Sequence, residues 1–486
     1  MKKLTEILLN TKYKIVCGNT NITIRDIATD SRKVQKGDLF VALPGMTVDG
    51  HDFVYRAIEN GAGAILVEEN FEFEPNPNIT AIFVENNYLA FAQISRAFFD
   101  FPADDLFLIG ITGTNGKSTT TYMVESILKN DKAGVIGTLG YKYGEIHRTM
   151  DFTTPDSYEL NRIFAEMRDA GVKTVIMEVS SHALAQKRTL EIKFDMAIFT
   201  NLTQDHLDFH KDMEDYFSAK MILFQSLKQD GKAIINIDDD YGKRVCKLVK
   251  PIITYGIENK DADYYADSII SKIEGSIFKV YDRTSEIEIQ LQVPGIFNIY
   301  NSLAAFAATR EYGFQETDIQ KGLMEFTGIR GRFEMIKGQH DFNIIIDYAH
   351  TPDALETVTK EARNICQSKV ITVFGAGGDR DKTKRPIMGS IVAESSDIIV
   401  LTSDNPRTED PEEILNDIAK GIPENIEYYR ISDRKKAIRA ALDLAETSDI
   451  VVIAGKGHED YQIIGHTKRH LDDKEVVHKW LEERDF

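Results

Sequence analysis

One seven-residue stretch limits the fold of this chain more than any other. Leu106–Thr112 reads LFLIGIT, an apolar, β-branched run that fits a fully buried strand. Gly113-Thr-Asn-Gly-Lys-Ser118 follows at once, and a helical pattern then covers Ser118–Lys129. A buried strand that turns on glycines straight into a helix belongs to a sheet covered on both faces. The turn also has a chemical meaning. Its backbone N–H groups converge on phosphate oxygens, and the helix N-terminus adds a positive field. Lys117 would reach the outer phosphates and Ser118 would ligate Mg²⁺. One position departs from the usual phosphate-loop spacing. The glycine expected five residues before Gly116 is Ile111, and the glycines are Gly110 and Gly113 instead.

The same alternation continues. Apolar runs at Ala133–Thr138, Thr174–Val179, Asp195–Thr200 and Lys232–Ile237 are separated by helical patterns, as in a mostly parallel sheet. A second series runs through Asn343–Asp347, Lys369–Phe374, Asp397–Thr402 and Asp449–Ala454, with amphipathic helices such as Pro352–Cys366 and Asp433–Glu446 between. Earlier in the chain, short strands (Ala64–Val67, Thr80–Val84) mix with helices (His51–Asn60, Tyr88–Asp100), and FEFEPNPN reads as a loop. The expectation is an α/β chain of three domains, at 1–104, 105–330 and 331–486. The central one has a P-loop ATPase-type parallel sheet and the last a Rossmann-like, doubly wound sheet. The 486 residues agree with roughly 150 per domain. Ligands in such sheets bind beyond the carboxyl ends of the strands. In the last domain those ends read DYAHTP, GAGGDRDK, TSDNPR and AGKGHED.

Several function classes are excluded. Three scattered cysteines (Cys17, Cys246, Cys366) form no CxxC pair, against a disulfide framework or a structural zinc site. A net charge of -19 disfavours nucleic acid. The start, MKKLTEILLNTKYK, lacks a signal-peptide core, and no run approaches the ~20 apolar residues of a membrane helix. The expectation is a cytoplasmic chain without membrane insertion. His206 and His210 stand four apart, but Leu207 replaces the glutamate of an HExxH zinc site. GAGGDR fails as a dinucleotide fingerprint because Arg380 occupies the third glycine's place. Glu178, at the end of a strand, is a plausible metal ligand. For His206 alone, a ligand and a hydrogen-bonded structural histidine both stay open.

Taken in order, the blocks LIGITGTNGKS, TTPDS, EVSSHALAQKR, NLTQDHLDFH, YFSAK, GIFNIYNSLAA, GRFE, DYAHTPDALE, GGDRDKTKRP, DNPR and GKGHEDYQ resemble the Mur ligase family over nearly the whole chain. The resemblance implies an ATP-dependent ligase that activates a carboxylate as an acyl phosphate and joins it to an amine. It implies ATP contacts at Gly113, Thr114, Asn115, Gly116, Lys117, Ser118 and Thr119, then at Asn298, Asn301, Arg332 and Asp347, with His350 helping the last domain dock. The Mg²⁺ ligands it implies are Ser118, Glu178, His206 and Lys220, the lysine as a CO₂-derived carbamate. Lys117, Lys220 and His206 carry the catalytic roles. By composition alone, Lys220 would be read as a solvated helix lysine, and Asn298 could equally cap a helix.

The resemblance extends to the substrates: a UDP-MurNAc-dipeptide, held by an N-terminal UDP-sugar domain, and an amino acid. ATDSRKV and GMTVDGHDF resemble uridine-diphosphate contacts, Ser31 foremost, and Thr153, Thr154, Ser180, Gln186 and Arg188 match contacts to the muramoyl peptide. Family members add lysine or meso-diaminopimelate, whose distal carboxylate calls for a planar, two-pronged cation. Asp404-Asn-Pro-Arg407 resembles the diaminopimelate-adding form, so Asp404, Asn405, Pro406 and Arg407, with Arg380, Gly455 and Glu459, are the implied amino-acid contacts. A monomer is implied. The competing readings are a lysine-adding relative, a folylpolyglutamate synthetase-like ligase, and a nucleotide-gated interaction protein.

Overall fold

A computed structural model describes residues 1–484, apart from 46–47, 130–131, 283–284, 337 and 339–340. Met46 and Thr47 of the GMTVDGHDF block therefore lie outside the described residues.

The phosphate-loop strand, Phe107–Thr112, is buried between Thr174–Glu178 and Phe194–Phe199 and runs parallel to both. Ala133–Gly137 lies beyond the first neighbour, and Leu227–Asn236 and Ile252–Gly256 beyond the second. From Phe107–Thr112 the chain first builds the outer strands on one side, returns to fill the adjacent place with Thr174–Glu178, and then works outward on the other side. The order reverses at that strand, which opens a crevice at its carboxyl end. Leu108 packs into one core layer and Ile109 and Ile111 into the other, as the period of two requires. Ile111 is wholly buried, so the glycine expected there is replaced by a core side chain. At Gly110 a Cβ would sit 2.8 Å from Leu223 and 2.9 Å from Phe194.

This sheet exceeds the alternating expectation. It has eleven strands, because antiparallel pairs extend both edges. Gly140–Tyr143 and Ile146–Arg148 form one extension. Tyr264–Lys272, Gly275–Tyr281 and Glu286–Leu291 form the other, with a half-buried alternation typical of a meander.

Two smaller sheets flank it in sequence. The first has strands Lys14–Cys17, Thr80–Val84, Ala64–Glu68, Leu39–Val41 and Ile27–Ala28, parallel except at Lys14–Cys17. The expected helix His51–Asn60 is instead a 3-10 turn, Gly50–Phe53, leading into a helix at Val54–Glu59. The last sheet has six strands, with Ile450–Ala454 inserted between Asn343–Asp347 and Val370–Phe374, and Ile398–Leu401 next in line. The four charged, glycine-rich tails therefore leave neighbouring strands at one edge of the sheet. Among the described residues, no helix is long and apolar enough to cross a membrane.

Candidate active site

The loop 113–116 is shaped by two glycines. Gly116 has φ +84°, and a Cβ there would sit 2.3 Å from Asn301 Oδ1. A Cβ at Gly113 would sit 1.8 Å from Thr200 Oγ1. Lys117 opens the helix Lys117–Ile127 and curls back, donating to the carbonyls of Gly113 (3.0 Å) and Thr114 (2.8 Å). Burial pulls its pKa below the ordinary lysine value, against the field of Glu178. Ser118 Oγ donates to Glu178 Oε2 at 2.8 Å, and Thr138 donates to the same carboxylate from its N–H (2.9 Å) and Oγ1 (3.0 Å). Glu178 ends its strand fully buried, and a Cβ on Gly137 would collide with it at 2.2 Å. Thr138 closes one of the apolar runs in the sequence but is not among the site residues expected from it. Its signal is its position at the end of the strand Ala133–Gly137, next to the phosphate-loop crevice.

Lys220 corrects the composition-based reading. It lies in the helix Met213–Gln225 with 1% exposure, donates to Gly113 O at 2.8 Å, and stands 4.4 Å over the Tyr216 ring. Burial, reinforced by Lys117, drives its pKa well below the ordinary value. The amine is thereby biased toward its neutral, nucleophilic form. His206 adopts φ +54°, beside Asp205, its ring 4.7 Å from that of His182. Burial lowers its pKa to about 4 despite Asp205, so the imidazole is neutral at physiological pH.

Lys117, Ser118, Thr138 and His206 open on a cavity of about 810 Å³, lined also by Thr119, Asn301, Arg332 and Asp347, with Glu178 and Lys220 buried behind its wall. Arg332 stacks 4.7 Å over Tyr348. Asp347 accepts from the backbone N–H groups of Phe333 and Ala349, both at 2.6 Å, and burial raises its pKa. Asn298 is placed differently. Its Nδ2 donates to Pro294 O at 2.7 Å, in the first turn of its own helix, and it does not line the cavity. Thr153, Ser180, Gln186 and Arg188 form another wall. Arg188 donates to Thr154 O (2.9 Å) and Gln186 Oε1 (2.7 Å) and stacks 4.2 Å over Phe152. Thr154 sits behind them, donating to Glu178 O at 2.8 Å. Ser31 is buried in a 3-10 turn capped by Asp30, away from this cavity, with its carbonyl held by Asn60 Nδ2 at 2.8 Å.

The amino-acid group divides in two. Asp404, Asn405, Gly455 and Glu459 come together, with Asn405 Nδ2 donating to Glu459 Oε2 at 3.2 Å. Tyr348, which lines the cavity, places its hydroxyl 3.5 Å from Glu459 Oε1. Arg407 is half-buried in the left-handed region (φ +50°), and its Nη1 donates to Gly378 O at 2.7 Å. Gly378 packs on Pro406, where a Cβ would meet the carbonyl at 1.9 Å. Arg380 is exposed and lines a separate cavity of about 520 Å³ with Asp208 and Glu409. Lys456, wholly buried among Asp404, Asn405 and Glu459, escaped the sequence reading.

Family models described as Mur ligase middle domain, Mur ligase, glutamate ligase domain, and Mur ligase family, catalytic domain match residues 111–309, 331–457 and 23–97. The chain is 44% identical over 486 residues to UDP-N-acetylmuramoyl-L-alanyl-D-glutamate--2,6-diaminopimelate ligase 1 of Clostridium acetobutylicum, covering 99% of each. It is 43% identical to the corresponding ligase of Clostridioides difficile, again over 99% of both chains. A solved structure of a UDP-N-acetylmuramoyl-L-alanyl-D-glutamate--2,6-diaminopimelate ligase superposes with a TM-score of 0.72 at 31% identity, covering 100% of both chains. A phosphate loop facing a buried lysine and a strand-end glutamate, together with sequence likeness along the whole chain, shows that this chain belongs to the Mur ligase family.

Proposed function

We propose that this chain is an ATP-dependent ligase that adds meso-2,6-diaminopimelate to UDP-N-acetylmuramoyl-L-alanyl-D-glutamate, giving the UDP-MurNAc-tripeptide, ADP and phosphate in peptidoglycan synthesis. The observation that carries the reading is the convergence of Lys117, Lys220 and Glu178 around one loop, in a chain 44% identical over its length to a ligase of that name. In this reading the terminal carboxylate of the bound dipeptide attacks the γ-phosphorus of ATP, and ADP leaves. The amine of the incoming amino acid then attacks the acyl carbon, and phosphate leaves.

The chain's own groups fit this sequence. Lys117 is held above the loop by two carbonyls, ready to exchange them for phosphate oxygens. Arg188, set in the cavity wall by its bonds to Thr154 O and Gln186 Oε1, would turn its remaining N–H groups to an anionic substrate. Ser118 and Glu178 offer hard oxygen donors 2.8 Å apart at the loop's mouth, a set suited to Mg²⁺. When bound, that ion neutralises charge that builds between the phosphates and the carboxylate. Lys220 as a carbamate would add an anionic oxygen to the set, with His206 as a neutral nitrogen ligand. The depressed basicity of Lys220 supports this, because a neutral amine is the form that adds to CO₂. Ser31 would meet the uridine-diphosphate end, and Glu459, Asp404 and Arg407 the diaminopimelate.

The test is ADP release with the UDP-dipeptide present and diaminopimelate, lysine or glutamate supplied in turn. Turnover with diaminopimelate alone supports the reading. Turnover with lysine or glutamate, or without any amino acid, overturns it.

A further inference from the structure

Lys456 lies wholly buried in the loop that leaves strand Ile450–Ala454. Its ammonium is 3.1 Å from Asn405 Oδ1, 3.4 Å from Glu459 Oε2 and 3.9 Å from Asp404 Oδ1. A buried ammonium is costly unless its partners are well placed. Here they are three of the side chains expected to hold the amino acid. The second buried cation nearby, Arg434, is differently occupied. It grips Asp473 through Nε (2.8 Å) and Nη2 (2.6 Å) and donates to Ala454 O at 3.0 Å. Gly455 lies between the two, and a Cβ there would sit 2.6 Å from Asp404 Oδ2 and 3.8 Å from Arg434 Nη1.

Arg434 is taken up by Asp473 through two of its nitrogens, so Asp404 and Glu459 share the single ammonium of Lys456 within ion-pair distance. Two carboxylates that share one buried cation keep acceptor capacity for an ammonium ligand. Lys456 also fixes where that capacity is presented. It and Asn405 occupy Glu459 Oε2, while the Tyr461 hydroxyl donates to Oε1 at 3.3 Å. The carboxylate is thus pinned through both oxygens rather than free to rotate.

We infer that Lys456 is a specificity-determining positioning residue: it holds Glu459 and Asn405 so that the cluster accepts the distal ammonium of a diamino acid, while Arg407 stands near for the distal carboxylate. The inference rests on the functional reading above and adds a residue to it. Lys456 acts through Glu459 and touches no substrate.

The experiment is a kinetic double-mutant cycle on the full chain with Lys456→Met, Glu459→Gln and the double variant, varying diaminopimelate at saturating ATP and UDP-dipeptide. Lys456→Met is expected to raise KM for diaminopimelate at least about 30-fold and to leave kcat within about threefold. KM for ATP and for the dipeptide should not move. In the Glu459→Gln background the same substitution should add little, and Lys456→Arg should restore part of the loss. The double variant removes both members of the pair and so guards against a misfolded single variant. An unchanged KM, a loss confined to kcat, or effects of the two substitutions that simply multiply would overturn the inference. If the unaltered chain fails to turn over with diaminopimelate, the functional reading falls and the inference with it.

Discussion

Asn115 Nδ2, in the phosphate loop, donates to Asp353 Oδ2 at 2.8 Å, which ties the loop to the first turn of the helix Pro352–Ile365. Thr203 Oγ1 donates to the same oxygen at 2.8 Å. Asp353 is therefore a single acceptor shared by two loops around the crevice. Burial raises its pKa, and Glu356 and Asp205 add to the effect, while its two donors oppose it. Asp353→Ala removes both hydrogen bonds. It is expected to raise KM for ATP about tenfold, since hydrogen bonds to a charged group contribute roughly 1.5–3 kcal/mol. Asp353→Asn keeps an acceptor oxygen and should lose less. Equal KM values for ATP in the alanine variant and the unaltered chain would remove Asp353 from the nucleotide site.

How much of this was legible depends on where the chemistry sat. Asn343–Asp347 is a buried run ending in a charged tail, and the strand has those same limits. The phosphate loop was equally plain, because glycine and lysine at fixed spacing have few other uses. The edge strands between Tyr264 and Leu291 were missed. Their alternation, as in EIEIQL, marks a half-exposed meander, which lacks the continuous apolar run of a buried strand. Lys220 could have been found from its neighbours. Tyr216, Leu223 and Phe224, three or four residues away on the same helix face, are all buried, so a solvated lysine there is inconsistent. Lys456 gave no such signal, because burial in a glycine-rich loop has no period to read.

Arg407 is the next test of specificity. Its guanidinium is tethered to Gly378 O and half-buried, within reach of the charge cluster that includes Glu459. Arg407→Ala is expected to lower kcat/KM for diaminopimelate by about 10²-fold, the cost of leaving a partly buried carboxylate unpaired. An unaltered kcat/KM for diaminopimelate would move the distal carboxylate elsewhere.

Acid stability should report His458. Burial, helped by Arg332 and Arg330, lowers its pKa from 6.5 to about 4. Between those values the folded chain keeps the imidazole neutral while the unfolded chain takes up a proton. The unfolded state then binds more protons, so stability rises with pH across the window and is lost on acidification from about 6.5 toward 4. The loss is on the order of 2 kcal/mol after allowing for partial exposure. Thermal melts of His458→Asn should fall less steeply between pH 7 and pH 4.5 than those of the unaltered chain. Parallel curves would assign the acid sensitivity to other groups.

Ile111 tests whether the unusual loop spacing matters. Ile111→Gly would restore the commoner phosphate-loop pattern, but the side chain is wholly buried between Ile109 and the helix that follows the loop. The substitution is expected to cost about 4 kcal/mol in stability, from lost burial and the cavity left behind. KM for ATP should not improve. Tighter nucleotide use in this variant would mean that the loop, rather than the core, dictates the residue at 111.

Lys220 should separate stability from activity. An amine held by one carbonyl and a tyrosine ring in a dry site contributes little to folding, since burial disfavours its charged form. Methionine nearly matches its shape and carries no charge. Lys220→Met is therefore expected to melt at the same temperature as the unaltered chain or a few degrees higher. Turnover should drop by 10²-fold or more, roughly the loss seen when a charge-stabilising group is removed from an active site. With ¹³C-labelled bicarbonate, the unaltered chain should give a carbamate resonance that the variant lacks. A variant that keeps its turnover, or an unaltered chain without that resonance, would return Lys220 to a structural role.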